Sequence, residues 1–75
     1  MNIKKIIKIQ GTSNVSFEDA INSSLSEASK SIDNITKLCI SNLCCNISDN
    51  KISEYIVDVD IVFTVDLERI NKWEK

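Results

Sequence analysis

The stretch Gly11-Thr12-Ser13-Asn14-Val15-Ser16-Phe17-Glu18-Asp19-Ala20 decides the fold, because the chain changes period there. Before it, Ile3, Ile7 and Ile9 share one side of an extended run, Ile3 to Gln10, and Lys4, Ile6, Lys8 and Gln10 share the other. After it, Phe17, Ala20, Ile21, Ser24, Leu25, Ala28 and Ile32 recur at helical spacing, with Asn22, Ser23, Ser26, Glu27, Ser29 and Lys30 largely off that stripe. The chain's one glycine closes the strand, and Ser16 opens the helix. Its hydroxyl can accept from the Asp19 amide while the Asp19 side chain reaches back, an approximate capping box, and Glu18 adds favourable charge at the positive helix end. The small residues Ala20, Ser24 and Ala28 would let the helix lie close to a curved sheet.

Two long strand-like segments follow and meet near Asp49-Asn50. In the second, Tyr55, Val57, Val59, Ile61, Phe63 and Val65 alternate with Ile56, Asp58, Asp60, Val62, Thr64 and Asp66, so the odd-numbered side faces the core. In the first, Ile35 to Ile47, the alternation is irregular: Leu38 and Ile40 fall opposite Ile35, Cys39, Leu43 and Ile47. Apolar residues on both sides predict that another copy covers the second face, and Ile6, apolar on a wet face, predicts the same. The order is β-α-β-β, an α+β fold with a three-stranded antiparallel sheet wrapped around one helix. Residues 1–75 form one domain in this reading, with an ordered unit at 3–66 and a C-terminal tail at 67–75.

With 75 residues the chain buries only about 60% of its unfolded surface, so a disulfide, a metal or oligomerisation must supplement the core. There is no histidine, and Cys39, Cys44 and Cys45 are odd in number and confined to one strand, where neighbours point to opposite faces. They read as buried or half-buried thiols rather than a zinc site or a disulfide framework, in a reducing, cytoplasmic setting. No signal-peptide pattern or bilayer-length apolar run is present, which predicts a soluble protein. Nine Lys and Arg against eleven Asp and Glu give no nucleic-acid footprint; Lys4, Lys5 and Lys8 read as a solvated strand face without interleaved aromatics. No histidine base, no glycine-rich phosphate loop and no base beside Ser13 or Ser16 argue against an enzyme.

The blocks Gly11-Thr12-Ser13, Ser16 to Ala20, Ala28 to Ile32 with Asn34-Ile35, Lys51-Ile52 with Glu54-Tyr55, and Val59 to Phe63 together resemble the dodecins over residues 3–66. The resemblance implies the same sheet and helix, and a hollow homododecamer with helices outside and sheets inside. It also implies flavin binding (riboflavin, FMN or FAD) and storage without catalysis. In flavin-binding members two isoalloxazine rings stack between tryptophans of symmetry-related subunits, and a polar residue after the last strand's tyrosine bonds the ring edge. The matching positions here are Lys37 and Ile56, so both ring-binding groups are replaced. Stacking contributes about 0.5–1.5 kcal/mol and an edge hydrogen bond about 1 kcal/mol net, so their loss weakens flavin binding.

Other candidates have plainer readings. Trp73 would have to fold back from the tail to replace the missing tryptophan, and Phe17, Tyr55 and Phe63 read as core. Lys37 is either an exposed strand lysine that discourages edge pairing or one of a ring that attracts phosphates. Asp58 and Asp60 could share a cation, but two carboxylates fall short of calcium's usual ligand number, and they read as solubilising residues. Two functions follow: a flavin-binding, flavin-storing shell, or a self-assembling scaffold that has lost flavin or takes a different anionic cofactor.

Overall fold

The computed structural model describes residues 2–66. The elements run β1 (Asn2–Ser13), α1 (Phe17–Ser29), β2 (Ile35–Ser48) and β3 (Lys51–Asp66), and the sheet order is β1-β3-β2 with both pairings antiparallel. The β-α-β-β order and the single sheet read from the sequence are therefore the architecture. The tail at 67–75, Trp73 included, lies outside the described residues.

Helix α1 starts where the sequence places it. Ser16 is extended (φ −169°, ψ 167°) and its hydroxyl accepts from the Asp19 amide at 3.0 Å. The reciprocal half of the expected capping box does not form. Instead the Ser13 hydroxyl donates to Asp19 Oδ2 at 2.6 Å and accepts from the amides of Val15 at 2.9 Å and Ser16 at 3.4 Å. The reason is that β1 extends to Ser13, three residues beyond the expected end, which carries a buried hydroxyl under the first helical turn. One oxygen then satisfies a carboxylate and two loop amides, a better solution than a single back-bond.

Gly11 is likewise not a turn residue but an interior residue of β1. A Cβ built there would overlap Ser24 Oγ and lie 2.7 Å from the Ala20 carbonyl oxygen. Ser24 is held in place because its hydroxyl donates to that carbonyl at 3.0 Å. The glycine thus permits close approach of strand and helix, at the small residues Ala20 and Ser24.

The irregular pairing of β2 with β3 holds three register shifts: bulges in β2 at Thr36, between Ile35 and Lys37, and at Ser41, between Ile40 and Asn42, and a third between Asn46 and Ile47 that skips Ser53 of β3. Each bulge resets the alternation, so Ile35, Leu38, Ile40, Leu43 and Cys45 pair with Phe63, Ile61, Val59, Val57 and Tyr55, all on the helix side. The displaced residues are hydroxyl-bearing: Thr36 Oγ1 donates to the Val62 carbonyl at 3.3 Å and Ser41 Oγ to the Asp58 carbonyl at 3.1 Å. The expectation that β2 is apolar on both faces is thereby corrected. Its other face carries Lys37, Cys39, Asn42 and Cys44. Cys39 and Cys44 are exposed, contrary to the buried or half-buried reading, and only Cys45 is half-buried. The β2–β3 turn has positive φ at both Asp49 (53°) and Asn50 (63°), the signature of a tight hairpin that matches strand twist.

The core is Ala20, Ala28, Val57, Val59 and Ile61, fringed by Ile7, Ile9, Phe17, Ile21, Ile32, Ile35 and Leu38. Phe17 meets Tyr55 edge-on, with ring centroids 5.1 Å apart. The helix rests on β1 and β3 and scarcely reaches β2, so Leu25, Ile40 and Leu43 remain open on the helix side. The resulting body measures 62 × 19 × 15 Å, with a radius of gyration of 16.3 Å. A compact chain of this length would have about 11 Å, so this one is shaped as a slab with uncovered apolar surface.

Candidate functional site

The helix-free face of the sheet gathers the candidate residues. Down its centre, Asp60 of β3 lies between Lys8 and Cys39, and Asp58 lies between Gln10 and Asn42. Lys8 Nζ meets Asp60 Oδ1 at 3.2 Å, and Gln10 Nε2 donates to Asp58 Oδ1 at 2.9 Å. A shallow hollow of about 350 Å³ opens among Lys8, Gln10, Ser41, Asp58 and Asp60. Both carboxylates are engaged within the chain, and the described residues contain no group of three or more metal-ligating side chains.

Lys37 and Ile56 share this face but are not neighbours. Lys37 stands opposite Val62, whereas Ile56 stands opposite Thr12 and Cys44. Six residues of β3 separate the two levels, about 20 Å along a strand. A ligand touching both positions must therefore draw them from different copies. What lies near Lys37 is a feature the sequence reading did not assemble. Ile6 is the register partner of Val62 on the β1 side, with Lys4 opposite Thr64 one level above and Lys8 one level below. Val62 is buried, while Ile6 is 62% exposed and forms an apolar spot bordered by Lys4, Lys8 and Lys37. Lys8 is engaged by Asp60. The signal was present in Ile6, the one apolar residue on a basic face; the hairpin register was needed to bring Lys37 beside it.

On the other side of the sheet, a groove of about 580 Å³ separates the end of α1 from the start of β2. Leu25, Ile32, Ile35 and Leu38 give it apolar walls, and Asp33 and Lys37 stand at its edge. No helix among the described residues is long and apolar enough to cross a membrane.

Comparison with known proteins gives one consistent relationship. The dodecin family model matches residues 3–66. A variant of the dodecin of Thermus thermophilus superposes with a TM-score of 0.83 at 23% identity, covering 88% of this chain and 98% of that one. The dodecin of Streptomyces coelicolor gives 0.83 at 15% identity, covering 87% and 93%. A calcium dodecin of Mycobacterium tuberculosis, described as calcium chelating with a novel calcium-binding site, gives 0.75 at 26% identity, covering 85% and 91%. No match to a curated protein sequence was found. With the strand order, the helix cap and the hairpin in place across the matched span, the chain belongs to the dodecin family.

Proposed function

We propose that this chain is a homo-oligomeric, dodecameric small-molecule-binding protein of the cytoplasm. It holds and stores a flavin without catalysing a reaction, and it favours the phosphate-bearing forms FMN and FAD over riboflavin. The carrying observation is the Ile6–Val62 spot bordered by Lys4, Lys8 and Lys37 on the helix-free face. An apolar platform can lie under a flat ring, and lysines at its rim can meet a phosphate. Each cation near a surface phosphate contributes about 1 kcal/mol at contact distance in water, less at high salt. The assembly supplies what one copy lacks, since Lys37 and Ile56 are about 20 Å apart within the chain. The exposed thiols of Cys39 and Cys44 fit a reducing compartment.

A second reading has its own observation. Lys37 and Ile56 stand where flavin-binding relatives are expected to present a tryptophan and a polar residue, which favours a shell that has lost flavin or takes another anionic cofactor. Calcium has less support in this chain, because Asp58 and Asp60 are already bonded to Gln10 and Lys8. Titration of the intact oligomer with riboflavin and with FMN, followed by flavin fluorescence, separates these readings. Saturable quenching with FMN about five- to tenfold tighter than riboflavin, converging as salt rises, supports flavin storage at the lysine-rimmed spot. No saturable quenching by either, from a protein of full assembled mass, establishes the scaffold reading instead.

A further inference from the structure

Strand β2 keeps its helix-side residues in place by two steps of three. Ile35 and Leu38 lie against Phe63 and Ile61, so the two residues between them, Thr36 and Lys37, compete for one place across from Val62 on the helix-free face. Ile40 and Leu43 repeat the step, and Ser41 and Asn42 compete for the place across from Asp58. One residue of each pair stands on the sheet and the other is displaced as a bulge. In both steps the displaced residue carries a hydroxyl. Thr36 Oγ1 donates to the Val62 carbonyl at 3.3 Å and Ser41 Oγ to the Asp58 carbonyl at 3.1 Å, in each case the backbone of the residue that its neighbour pairs with. Strand propensity points the other way at the first step, because threonine is a good strand former and lysine a poor one. The core anchors Ile35 and Leu38 require a bulge, yet they are satisfied equally whether residue 36 or residue 37 is the one displaced. The hydroxyl bond is what distinguishes the two arrangements.

We propose that Thr36 is a positioning residue for the lysine-rimmed spot: by holding the Val62 carbonyl from the bulge, its hydroxyl assigns the place beside the Ile6–Val62 platform to Lys37. Thr36 touches no ligand and acts through the lysine. Its effect on binding rests on the flavin reading above; its effect on where Lys37 stands does not. Without the hydroxyl, an apolar residue at position 36 takes the paired place against Val62 and Ile6, and Lys37 moves into the bulge, which withdraws one of three cations from the rim. A hydrogen bond of this kind shifts the ratio of two such arrangements about two- to tenfold.

The test pairs Thr36→Val, which keeps the shape and loses the hydroxyl, with Thr36→Ser, which keeps the hydroxyl. A crystal structure of Thr36→Val should show residue 36 across from Val62 and Lys37 displaced, and Thr36→Ser should restore the wild-type arrangement. In titrations of the intact protein at low salt, Thr36→Val should narrow the advantage of FMN over riboflavin about twofold or more, with riboflavin affinity unchanged, and Thr36→Ser should regain it. In a Lys37→Ala background, adding Thr36→Val should leave the FMN-to-riboflavin ratio where Lys37→Ala alone puts it, because the hydroxyl acts only through the lysine. A further narrowing in that background overturns the positioning role, as does a Thr36→Val structure with Lys37 still across from Val62 and an unchanged ratio; both leave the flavin reading standing. Wild-type protein that binds neither flavin overturns the flavin reading, and the crystal comparison then still decides whether the hydroxyl places Lys37.

Discussion

On the helix side of the sheet, Val57, Val59 and Ile61 are sealed beneath Ala20 and Ala28; one residue out of phase, on the helix-free side, Asp58 and Asp60 are held by Gln10 and Lys8, with Ile6 bare beside Val62. The same three strands build both faces. The helix side is closely packed where α1 lies on β1 and β3, and little can change there without strain. The helix-free side is a set of separate polar pairs, each largely independent of the next. Stability is therefore concentrated on one face, and recognition has freedom to vary on the other. In such a division the proposed replacement of the family's ring-binding residues by Lys37 and Ile56 leaves the packed face untouched.

This division can be broken most severely at Ile61, fully buried at the centre of the core. Ile61→Ala should cost about 2–5 kcal/mol, a large share of the about 4–11 kcal/mol available to a chain of this length, and urea unfolding should register it as a lower midpoint with little change in slope. A mutant as stable as wild type would mean that the helix side is not the seat of stability. Gly11→Ala comes next, at about 1–3 kcal/mol, because the added methyl meets both Ser24 and the immovable Ala20 carbonyl; thermal unfolding would detect it. On the helix-free face, Lys37→Trp should leave the melting temperature nearly unchanged and tighten flavin binding about three- to tenfold, read by fluorescence titration. The smallest effect belongs to Lys8→Ala. Its ion pair with Asp60 is well exposed on the lysine side, so the loss should be about 1 kcal/mol or less, shrinking further in salt.

Much of this architecture was legible in residues taken one period at a time. The Tyr55–Asp66 alternation marked the last strand and its buried side, and Ser16 marked the first helical turn to the residue. Beta-strand 2 was misread because a fixed period of two cannot see a bulge. The spacing of Ile35, Leu38, Ile40, Leu43 and Cys45 is three, two, three, two, and only pairing with β3 shows that each step of three contains a displaced Thr36 or Ser41. Gly11 was read as the end of its strand because a glycine's commonest use is a turn, whereas here the missing Cβ answers Ala20 and Ser24 of the helix that follows. At the candidate site, Lys37 and Ile56 were identified singly; their distance from each other, and the nearness of Ile6 to Lys37, depend on register.

Sequence by itself determined the element order, the helix cap, the hairpin turn and the core face of β3. Those follow from local periodicity, from short-range hydrogen-bonding options and from two residues able to adopt positive φ. Tertiary structure alone decided which side of β2 is apolar, why position 11 must lack a side chain, and that the helix lies on β1 and β3 and scarcely reaches β2. These are relations between segments distant in the chain, fixed by strand pairing and by how closely two backbones can approach, and no local pattern carries them.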